Sequence, residues 1–484
     1  MADEMRATRP NVLLLHTDQH RWDALGANGN ADIHTPNLDR LAERGVTLSR
    51  TFANAPVCMP SRGSYLTGRY PSELRIYRNG VPLPEDVPTI ADYFGRYGYE
   101  TANVGKLHFL PHADRDHTEP HPDYGFDHLE VSDEPGCYDD AYRAWVRTHA
   151  PEQLDDISVG LPPAARRYRD VMGVDDDIDH PEPRFETGPR AFPGDDEYTH
   201  TAFVAQRTME FLRQHRDDRF LCISGFYSPH SPWVAPQRFL DRYDEAALSV
   251  PEFPAALAAR RDDLARNRDD PSAATYSTEE LRAVRKGYYA MVSEVDYWIG
   301  EIIDALEAVG RLDETVVIFT SDHGEDLGQH LRYGKGFPGW DTISRVPMIV
   351  HWPDGVANPG REVEGITELV DLLPTLLEAA GIPIPTDLQG RSFLPAVAGE
   401  DYAGRDEALL ESSGGKVVRT DRYRYALEPD GSERLYDLAR DPEEFHDVAD
   451  DPDYDDALAE CRWRLARRIM AVDVESERRR TWRY

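Results

Sequence analysis

Short apolar runs recur along this chain, and stretches with helical spacing of apolar residues lie between them. Apolar runs of this length, bounded by polar or glycine-rich turns, are typical of strands buried on both faces of a sheet. The predicted strands are residues 11–16, 101–104, 219–224, 315–320 and 347–351, and all five are expected to run parallel. The predicted helices are residues 37–45, 198–215, 281–309 and 369–380, the first with Asn37 as N-cap and Gly45 at its end. This alternation predicts an α/β fold with a large, mostly parallel or mixed sheet covered by helices on both faces.

Two segments depart from the alternation and indicate how the chain is divided. Residues 111–196 are dense in Asp, His and Pro, so we expect a long insertion over one face of the sheet. Further on, residues 416–427, the turn at Asp430-Gly431 and residues 433–438 predict a β-hairpin, and residues 454–471 an amphipathic helix. The expected division is a main α/β domain at 1–380 and a smaller C-terminal α+β subdomain at 381–484.

The chain is strongly acidic, with a formal charge of −35. This charge argues against nucleic acid as a partner, because phosphate backbones attract basic surfaces. The acidic residues are expected to form a solvated surface, and their excess together with only four lysines is typical of halophilic proteins from a high-salt cytoplasm. A genome biased toward Arg codons would also explain the preference for Arg, but not the acid excess.

The apolar runs are too short to cross a bilayer, which takes roughly 20 residues. The first of them follows a polar, charged N-terminus and is too short for a signal peptide. We therefore expect a cytoplasmic protein without a membrane partner.

The four cysteines, Cys58, Cys137, Cys222 and Cys461, lie far apart and form no CxxC pair. This spacing argues against a disulfide framework and against a thiolate zinc site. Cys222 lies within an apolar run and is expected to be a buried core thiol.

Reactive side chains follow four of the predicted strands. In an open parallel sheet, ligands bind beyond the carboxyl ends of the strands, so these side chains are expected to meet at one edge. Each of them taken singly could be a helix cap, a turn residue or a structural histidine. Together, carboxylates, an amide oxygen and an imidazole suit a hard divalent cation. The residues are Asp18, Gln19, Lys106, His108, His230, Asp322 and His323.

Two of the four lysines, Lys106 and Lys335, directly follow a glycine in these loops. An ammonium is a compact charge that can also release a proton, whereas a guanidinium in practice cannot. Chance placement of so few lysines is the alternative explanation. A site that stabilises an anionic ester would use both.

The segment from Pro56 to Arg62 places Cys58 just before a predicted helix start at Pro60 and Ser61. The positive end of a helix favours an anionic ligand, so Cys58 is expected to lie beside such a site. A small buried thiol ahead of a helix is the alternative.

The sequence Cys58-Met59-Pro60-Ser61-Arg62 resembles the signature of the type I sulfatases of the alkaline phosphatase superfamily, in which the Cys is oxidised to formylglycine. Residues 11–21, 105–108, 229–232 and 321–335 are similar to further motifs of that family, in the family's order. Residues 435–438 and 441–443 resemble its C-terminal subdomain, so the resemblance spans nearly the whole chain.

This resemblance implies an arylsulfatase-like hydrolase that cleaves a sulfate ester to an alcohol and inorganic sulfate. One hydroxyl of hydrated formylglycine would attack sulfur, and the other would lose a proton as the aldehyde re-forms. The implied metal ligands are Asp18, Gln19, Asp322, His323 and the modified Cys58. Arg62 would orient the hydrate, Lys106 and Lys335 would bind sulfate oxygens, His108 would lie against the hydrate, and His230 would protonate the leaving alcohol.

The chain departs from the best-known sulfatases at two positions. Many of those enzymes have Asp at the position of Gln19 and Asn at that of His323. Ca²⁺ is the expected metal, and the loss of a carboxylate together with the gain of an imidazole admits Mn²⁺ or Mg²⁺. The same combination resembles bacterial sulfatases and phosphonate monoester hydrolases, so phosphonate monoester or phosphodiester hydrolysis is the alternative function.

A third hypothesis is a non-catalytic, metal-stabilised binding protein, which requires Cys58 to remain a thiol. The expected partners are a small-molecule or saccharide sulfate ester and the formylglycine-generating enzyme that matures Cys58. Specificity is expected in loops such as residues 77–80 and in the long insertion.

Overall fold

The computed structural model describes residues 9–111, 120–136, 138–157, 159, 189–259 and 276–480, with side chains up to residue 473. The strands are β1 (Asn11–Thr17), β2 (Val46–Leu48), β3 (Thr51–Phe52), β4 (Glu100–Gly105), β5 (His128–Val131), β6 (Arg190–Ala191), β7 (Phe220–Gly225), β8 (Val234–Ala235), β9 (Thr315–Ser321), β10 (Arg345–Val346), β11 (Met348–His351), β12 (Arg361–Val363), β13 (Thr367–Glu368), β14 (Glu407–Ser412), β15 (Gly415–Thr420), β16 (Tyr423–Leu427) and β17 (Glu433–Asp437). The helices are α1 (Pro36–Arg44), α2 (Cys58–Thr67), α3 (Pro71–Leu74), α4 (Ile90–Gly95), α5 (Ala141–His149), α6 (His200–Gln214), α7 (Gln237–Leu240), α8 (Thr278–Ala308), α9 (Asp341–Ser344), α10 (Leu372–Ala379), α11 (Leu394–Val397) and α12 (Asp455–Arg480).

The largest sheet has eight strands in the order β12-β2-β11-β9-β1-β7-β4-β5. Its neighbours pair in parallel except at β11, which is antiparallel to both β9 and β2. The prediction that residues 347–351 form a parallel strand is therefore wrong in direction. The chain leaves β9 at its carboxyl end and enters β11 at that same edge, so β11 must run back along its neighbour. The predicted fold class, a large mixed α/β sheet flanked by helices, is confirmed.

The sheet separates two apolar cores, and β1 contributes to both. Val12 and Leu14 belong to one core with α2 and α10, whereas Leu13 and Leu15 belong to the other with α1, α6 and α8. Side chains alternate between the faces of a strand, so a strand buried on both faces must be apolar throughout. All four side chains are fully buried, and burial of each contributes about 1.5–3 kcal/mol.

Helix α1 begins one residue before the predicted N-cap. Thr35 holds the N-cap position, Pro36 is the first helical residue, and Gly45 ends the helix as predicted. The expectation for Asn37 is wrong because a neighbouring helix supplies the cap. Asp296 of α8 accepts hydrogen bonds from the backbone N–H groups of Asn37 at 3.0 Å and Leu38 at 2.7 Å.

The C-terminal segment forms a separate four-stranded antiparallel sheet, β14-β15-β16-β17, which packs against α12. The predicted hairpin turn is present, and Gly431 there has a φ of 88°. Residues 416–427 are two strands rather than one, because the chain turns between Thr420 and Tyr423. The division at residue 380 stays a prediction.

The predicted insertion at residues 111–196 contains part of the main sheet. Strand β5 pairs in parallel with β4 as the edge strand, and α5 follows it. Residues 112–119, 137, 158 and 160–188 of this segment lie outside the described residues.

Among the described residues, every helix is too short or too polar to span a bilayer.

Candidate active site

Two aspartates meet where β1 and β9 end side by side. Thr17 pairs with Ser321 in the parallel register, so the next residues, Asp18 and Asp322, leave the sheet together. Both carboxylates are fully buried. The backbone N–H of Gln19 donates to Asp322 Oδ1 at 3.1 Å and joins the two loops. Gln19 adopts a left-handed backbone conformation, with φ at 71°, as it turns out of the strand.

Helix α2 brings Cys58 to these aspartates. The predicted start at Pro60 is wrong by two residues, because the extended Val57 is the N-cap and Cys58 is the first helical residue. A proline in the first turn lacks an N–H that would otherwise need a partner, so Pro60 fits inside the helix. The Ser61 hydroxyl donates to the backbone carbonyl of Asp322 at 2.6 Å and anchors this turn to the loop after β9.

Cys58 is buried among charged and polar groups. Its Sγ lies 2.6 Å from Lys335 Nζ, 3.3 Å from His323 Nε2 and 3.7 Å from Asp18 Oδ1. Burial and the negative charge of Asp18 raise the pKa of the Cys58 thiol to about 11, despite the opposing charge of Lys335. An unmodified Cys58 is therefore a neutral thiol at neutral pH and a weak nucleophile.

Arg62 joins the two carboxylates from one turn further along α2. Its Nε donates to Asp322 Oδ2 at 2.8 Å, and one terminal nitrogen lies 3.2 Å from Asp18 Oδ2. The other terminal nitrogen donates to the backbone carbonyl of Lys106 at 2.8 Å. A planar guanidinium can hold three acceptors in fixed directions, so Arg62 connects β1, β4 and β9 beneath Cys58.

The two predicted lysines both reach Asp18. Lys106 Nζ lies 3.0 Å from Oδ2 and Lys335 Nζ lies 3.6 Å from Oδ1. Burial alone would raise the pKa of Asp18, but the charges of Lys106 and Lys335 hold it well below its ordinary value. Burial opposes the charge of Lys106 as well, yet Asp18 and Glu134 raise its pKa. The site therefore holds the ionised carboxylate of Asp18 beside the ionised ammonium groups of Lys106 and Lys335.

Four predicted metal ligands form a compact group. Ligand atoms of Asp18, Cys58, Asp322 and His323 all lie within 4.8 Å of one another, and all four residues are buried. The fifth, Gln19, has a buried Oε1 with no hydrogen-bond partner. An unpartnered buried amide oxygen is costly unless something else binds it, and a metal ion would do so.

His323 is prepared as a neutral ligand. Its Nδ1 lies 2.9 Å from the carbonyl of Gly324, which accepts a hydrogen bond from that nitrogen and leaves the lone pair on Nε2. Burial lowers the pKa of His323 to about 4, although Asp322 opposes this effect. The donor set, three oxygens with one imidazole and position 58, fits a hard or borderline divalent cation.

The two remaining predicted histidines lie in the loops after β4 and β7. His108 has a φ of 55°, and its backbone N–H donates to Asp133 Oδ1 at 2.8 Å. His230 Nδ1 lies 2.6 Å from the carbonyl of Ser231. Burial and then the charge of Lys335 lower the pKa of His230 well below its ordinary value. Both side chains are buried, and their catalytic roles stay predictions.

Three residues without a role in the sequence prediction support this site. Glu325 accepts a hydrogen bond from the side-chain amide of Gln19 and another from the backbone N–H of Gly334, next to Lys335. The ring of Tyr227 lies 4.7 Å from Lys106 Nζ and 4.9 Å from the ring of His230. Asp133 fixes the backbone at Leu107 and His108.

Glu325 could have been found from the sequence, since it stands in the loop that carries Asp322 and His323. Tyr227 and Asp133 have no comparable signal in the residues around them.

Comparisons with known proteins find similarity over most of the chain. The family model described as Sulfatase matches residues 10–382, and that described as N-sulphoglucosamine sulphohydrolase, C-terminal, matches residues 328–471. An arylsulfatase of Clostridium perfringens is 28% identical, with 96% of this chain and 95% of that protein covered. A choline-sulfatase of Rhizobium meliloti is 29% identical, with coverage of 93% and 84%. The crystal structure of a phosphonate monoester hydrolase of Agrobacterium radiobacter superposes with a TM-score of 0.78 at 28% identity, covering 97% of this chain and 96% of that one.

Proposed function

Because this chain belongs to the Sulfatase family and is a sulfuric ester hydrolase, we propose that it acts through formylglycine made from Cys58 and one divalent metal. The observation that carries the proposal is the arrangement around Cys58. The first residue of a buried helix lies against two carboxylates, a neutral imidazole and an ammonium group. The buried Oε1 of Gln19, which has no hydrogen-bond partner, supports a cation at this place, since the backbone of the same residue donates to Asp322.

Formylglycine and the metal would supply a nucleophile and a positive charge that the unmodified chain lacks. Formylglycine at position 58 offers the hydroxyl of a hydrated aldehyde, where an unmodified Cys58 has a neutral thiol. A metal held by Asp18, Gln19, Asp322 and His323 would supply positive charge for sulfate oxygens and for the nucleophile. We propose Ca²⁺, with Mn²⁺ or Mg²⁺ as alternatives, to be distinguished by adding each ion back to metal-free protein.

The chain's own cations would bind the ester. The ammonium group of Lys106 lies near one carboxylate oxygen of Asp18, and that of Lys335 lies near the other. Buried ammonium groups stabilise an anion strongly because little water screens them. Arg62 already donates hydrogen bonds to Asp18, to Asp322 and to the backbone carbonyl of Lys106. It would therefore hold the site's geometry and position residue 58.

His230 would donate a proton to the oxygen of the leaving alcohol. Its Nδ1 faces the carbonyl of Ser231, which leaves Nε2 as the nitrogen for proton exchange. Burial, and then the charge of Lys335, lowers the pKa of His230 and disfavours its protonated form in the free protein. A bound sulfate ester brings negative charge beside that lysine, which favours the protonated form in the complex.

The test compares sulfate release by the wild type and by a variant that cannot form formylglycine. Protein co-expressed with a formylglycine-generating enzyme should release inorganic sulfate from an aryl sulfate such as 4-nitrophenyl sulfate. A Cys58→Ala variant made in the same way should bind metal and fold but release none. Equal sulfate release by the Cys58→Ala variant would contradict the proposal.

Phosphonate monoester or phosphodiester hydrolysis is the second candidate. Two phosphonate monoester hydrolases are similar in structure, one from Silicibacter pomeroyi with a TM-score of 0.76 at 25% identity. Gln19 and His323 also distinguish this site from the commoner Asp and Asn pattern. We expect kcat/KM to be higher for an aryl sulfate than for the matched phenylphosphonate ester, and the opposite order would reverse the assignment.

We propose a small-molecule or saccharide sulfate ester as the natural substrate and a formylglycine-generating enzyme as the maturation partner. Two lysines and a metal can hold the sulfate group whichever alcohol it carries, so the alcohol must be selected elsewhere. The segment at residues 77–80 is one candidate, because Asn79 Oδ1 accepts a hydrogen bond from the backbone N–H of Met59 at 3.0 Å. A panel of sulfate esters, tested at equal concentration, would identify the class.

A further inference from the structure

A second cluster of metal-ligating side chains lies at the opposite edge of the main sheet. Ligand atoms of Glu100, His128 and His215 lie within 4.8 Å of one another. Glu100 opens β4, whereas Lys106 directly follows the other end of that strand. Five residue steps along a strand separate the two edges by about 16 Å. This cluster is therefore distinct from the site around Cys58.

The fold brings the three residues together from different elements. His128 is the first residue of the edge strand β5, which pairs with β4. His215 caps the carboxyl end of α6, the helix that leads into β7. The His128 and His215 rings have centroids 4.7 Å apart, and His128 Nε2 lies 3.6 Å from Glu100 Oε2. Two imidazoles and a carboxylate are a common ligand set for zinc.

The orientation of His215 is a second observation that points to a ligand. Its Nδ1 lies 3.0 Å from Asp218 Oδ2, and the ring stacks on Phe211 with centroids 4.4 Å apart. A carboxylate that accepts a hydrogen bond from one ring nitrogen fixes the tautomer and leaves the lone pair of Nε2 to bind a metal ion. Metal-binding histidines commonly show this arrangement. The side chains of His128 and Glu100 are 44% and 45% exposed, so a metal ion can enter from solvent.

We propose that Glu100, His128 and His215 form a site for Zn²⁺ or a similar borderline transition metal, with Asp218 orienting His215. Imidazole nitrogens select such ions over Ca²⁺ and Mg²⁺, which prefer oxygen ligands. The bound ion joins β4, the edge strand β5 and the end of α6. Strand β5 leads to Asp133, which holds the backbone at His108, so the ion stabilises the edge of the sheet that supports the active site.

The test is calorimetric titration of the holoenzyme with ZnCl₂ alone. We compare the wild type with His128→Gln, His215→Gln and Asp218→Asn, and use His149→Gln as the matched control. His149 is an exposed histidine on α5 whose Nδ1 contacts a backbone carbonyl. Every variant keeps the residues around Cys58, so zinc bound there is counted equally in all of them.

The wild type and the His149→Gln variant are expected to bind one more zinc than the His128→Gln and His215→Gln variants. The Asp218→Asn variant should keep the site with affinity lowered about 10- to 100-fold. Zinc should also raise Tm more in the wild type than in the His128→Gln variant. The same zinc stoichiometry and affinity in the wild type and both histidine variants would overturn the proposal and leave a metal-free contact between His128 and Glu100.

Discussion

Lys335 Nζ lies 2.6 Å from Cys58 Sγ, although 277 positions separate the two residues in the chain. The contact links the loop after β9 to the first turn of α2. It places a compact positive charge beside the position where we propose the nucleophile, and Lys335 also lies 3.6 Å from Asp18. Charge and shape at this contact are therefore open to separate tests.

Replacing Lys335 or Lys106 by Arg should lower kcat/KM by about 100-fold, although the charge is kept. Arg is longer, planar and forked, and a displacement of about 1 Å in an aligned site can cost about 100-fold in rate. The measurement is kcat/KM on the best sulfate ester found. Lys286→Arg, on α8, makes the same chemical change outside the site and should be nearly silent. Wild-type rates in all three variants would mean that neither active-site lysine takes part in catalysis.

Lys416→Arg is a less neutral control than the sequence alone indicates. Lys416 pairs with the buried Glu411 and lies near the ring of Tyr77. We expect this variant to lose stability while kcat/KM stays close to the wild-type value. A loss of rate as large as that of Lys335→Arg would connect this ion pair to catalysis.

Glu325→Gln should weaken metal binding about 10- to 100-fold, the range found for groups that orient ligands. Glu325 accepts a hydrogen bond from the Gln19 side chain, and a Gln in its place could turn a donor toward that amide. The measurement is the metal dissociation constant from a chelator competition. Glu314→Gln, at an exposed carboxylate, is the control. Equal dissociation constants for both variants and the wild type would remove Gln19 from the proposed ligand set.

Glu294 should make the protein less stable as pH rises. Burial raises the pKa of this carboxyl group on α8 to about 8, and the charge of Asp196 adds to the shift, although the hydroxyl of Thr199 donates to it. The folded state thus keeps a proton that the unfolded chain releases above its ordinary pKa. The free energy of unfolding contributed by this group falls as pH rises from about 4.5 to about 8.

A Glu294→Gln variant should therefore lose less stability than the wild type between pH 5.5 and pH 8, because the amide does not titrate. Urea unfolding at both pH values measures the difference. Glu301→Gln, at an exposed position of the same helix, should follow the wild type. An equally steep fall in the Glu294→Gln variant would show that Glu294 is ionised in the folded protein.

The meeting of Asp18 with Asp322 could be predicted because both follow apolar strands of one parallel sheet, whose carboxyl ends share an edge. The direction of β11 could not be predicted in the same way, since a short apolar strand looks alike in either direction. The cap of α1 escaped prediction because Asp296 comes from a helix more than 250 residues away. Glu325 stands in the loop of Asp322 and His323 and could be predicted to lie at the site, but its hydrogen bond with Gln19 could not, because a contact between two loops leaves no periodic pattern in the sequence.

The most direct test of a formylglycine nucleophile is the mass of the tryptic peptide spanning residues 51–62, which ends at Arg62 and contains Cys58. Protein isolated from its native host, or co-expressed with a formylglycine-generating enzyme, should give this peptide with the mass of the aldehyde. The aldehyde fraction should rise in proportion to the rate of sulfate release across preparations matured to different extents. Fully active protein whose peptide carries only unmodified cysteine would contradict a nucleophile made from Cys58 by oxidation.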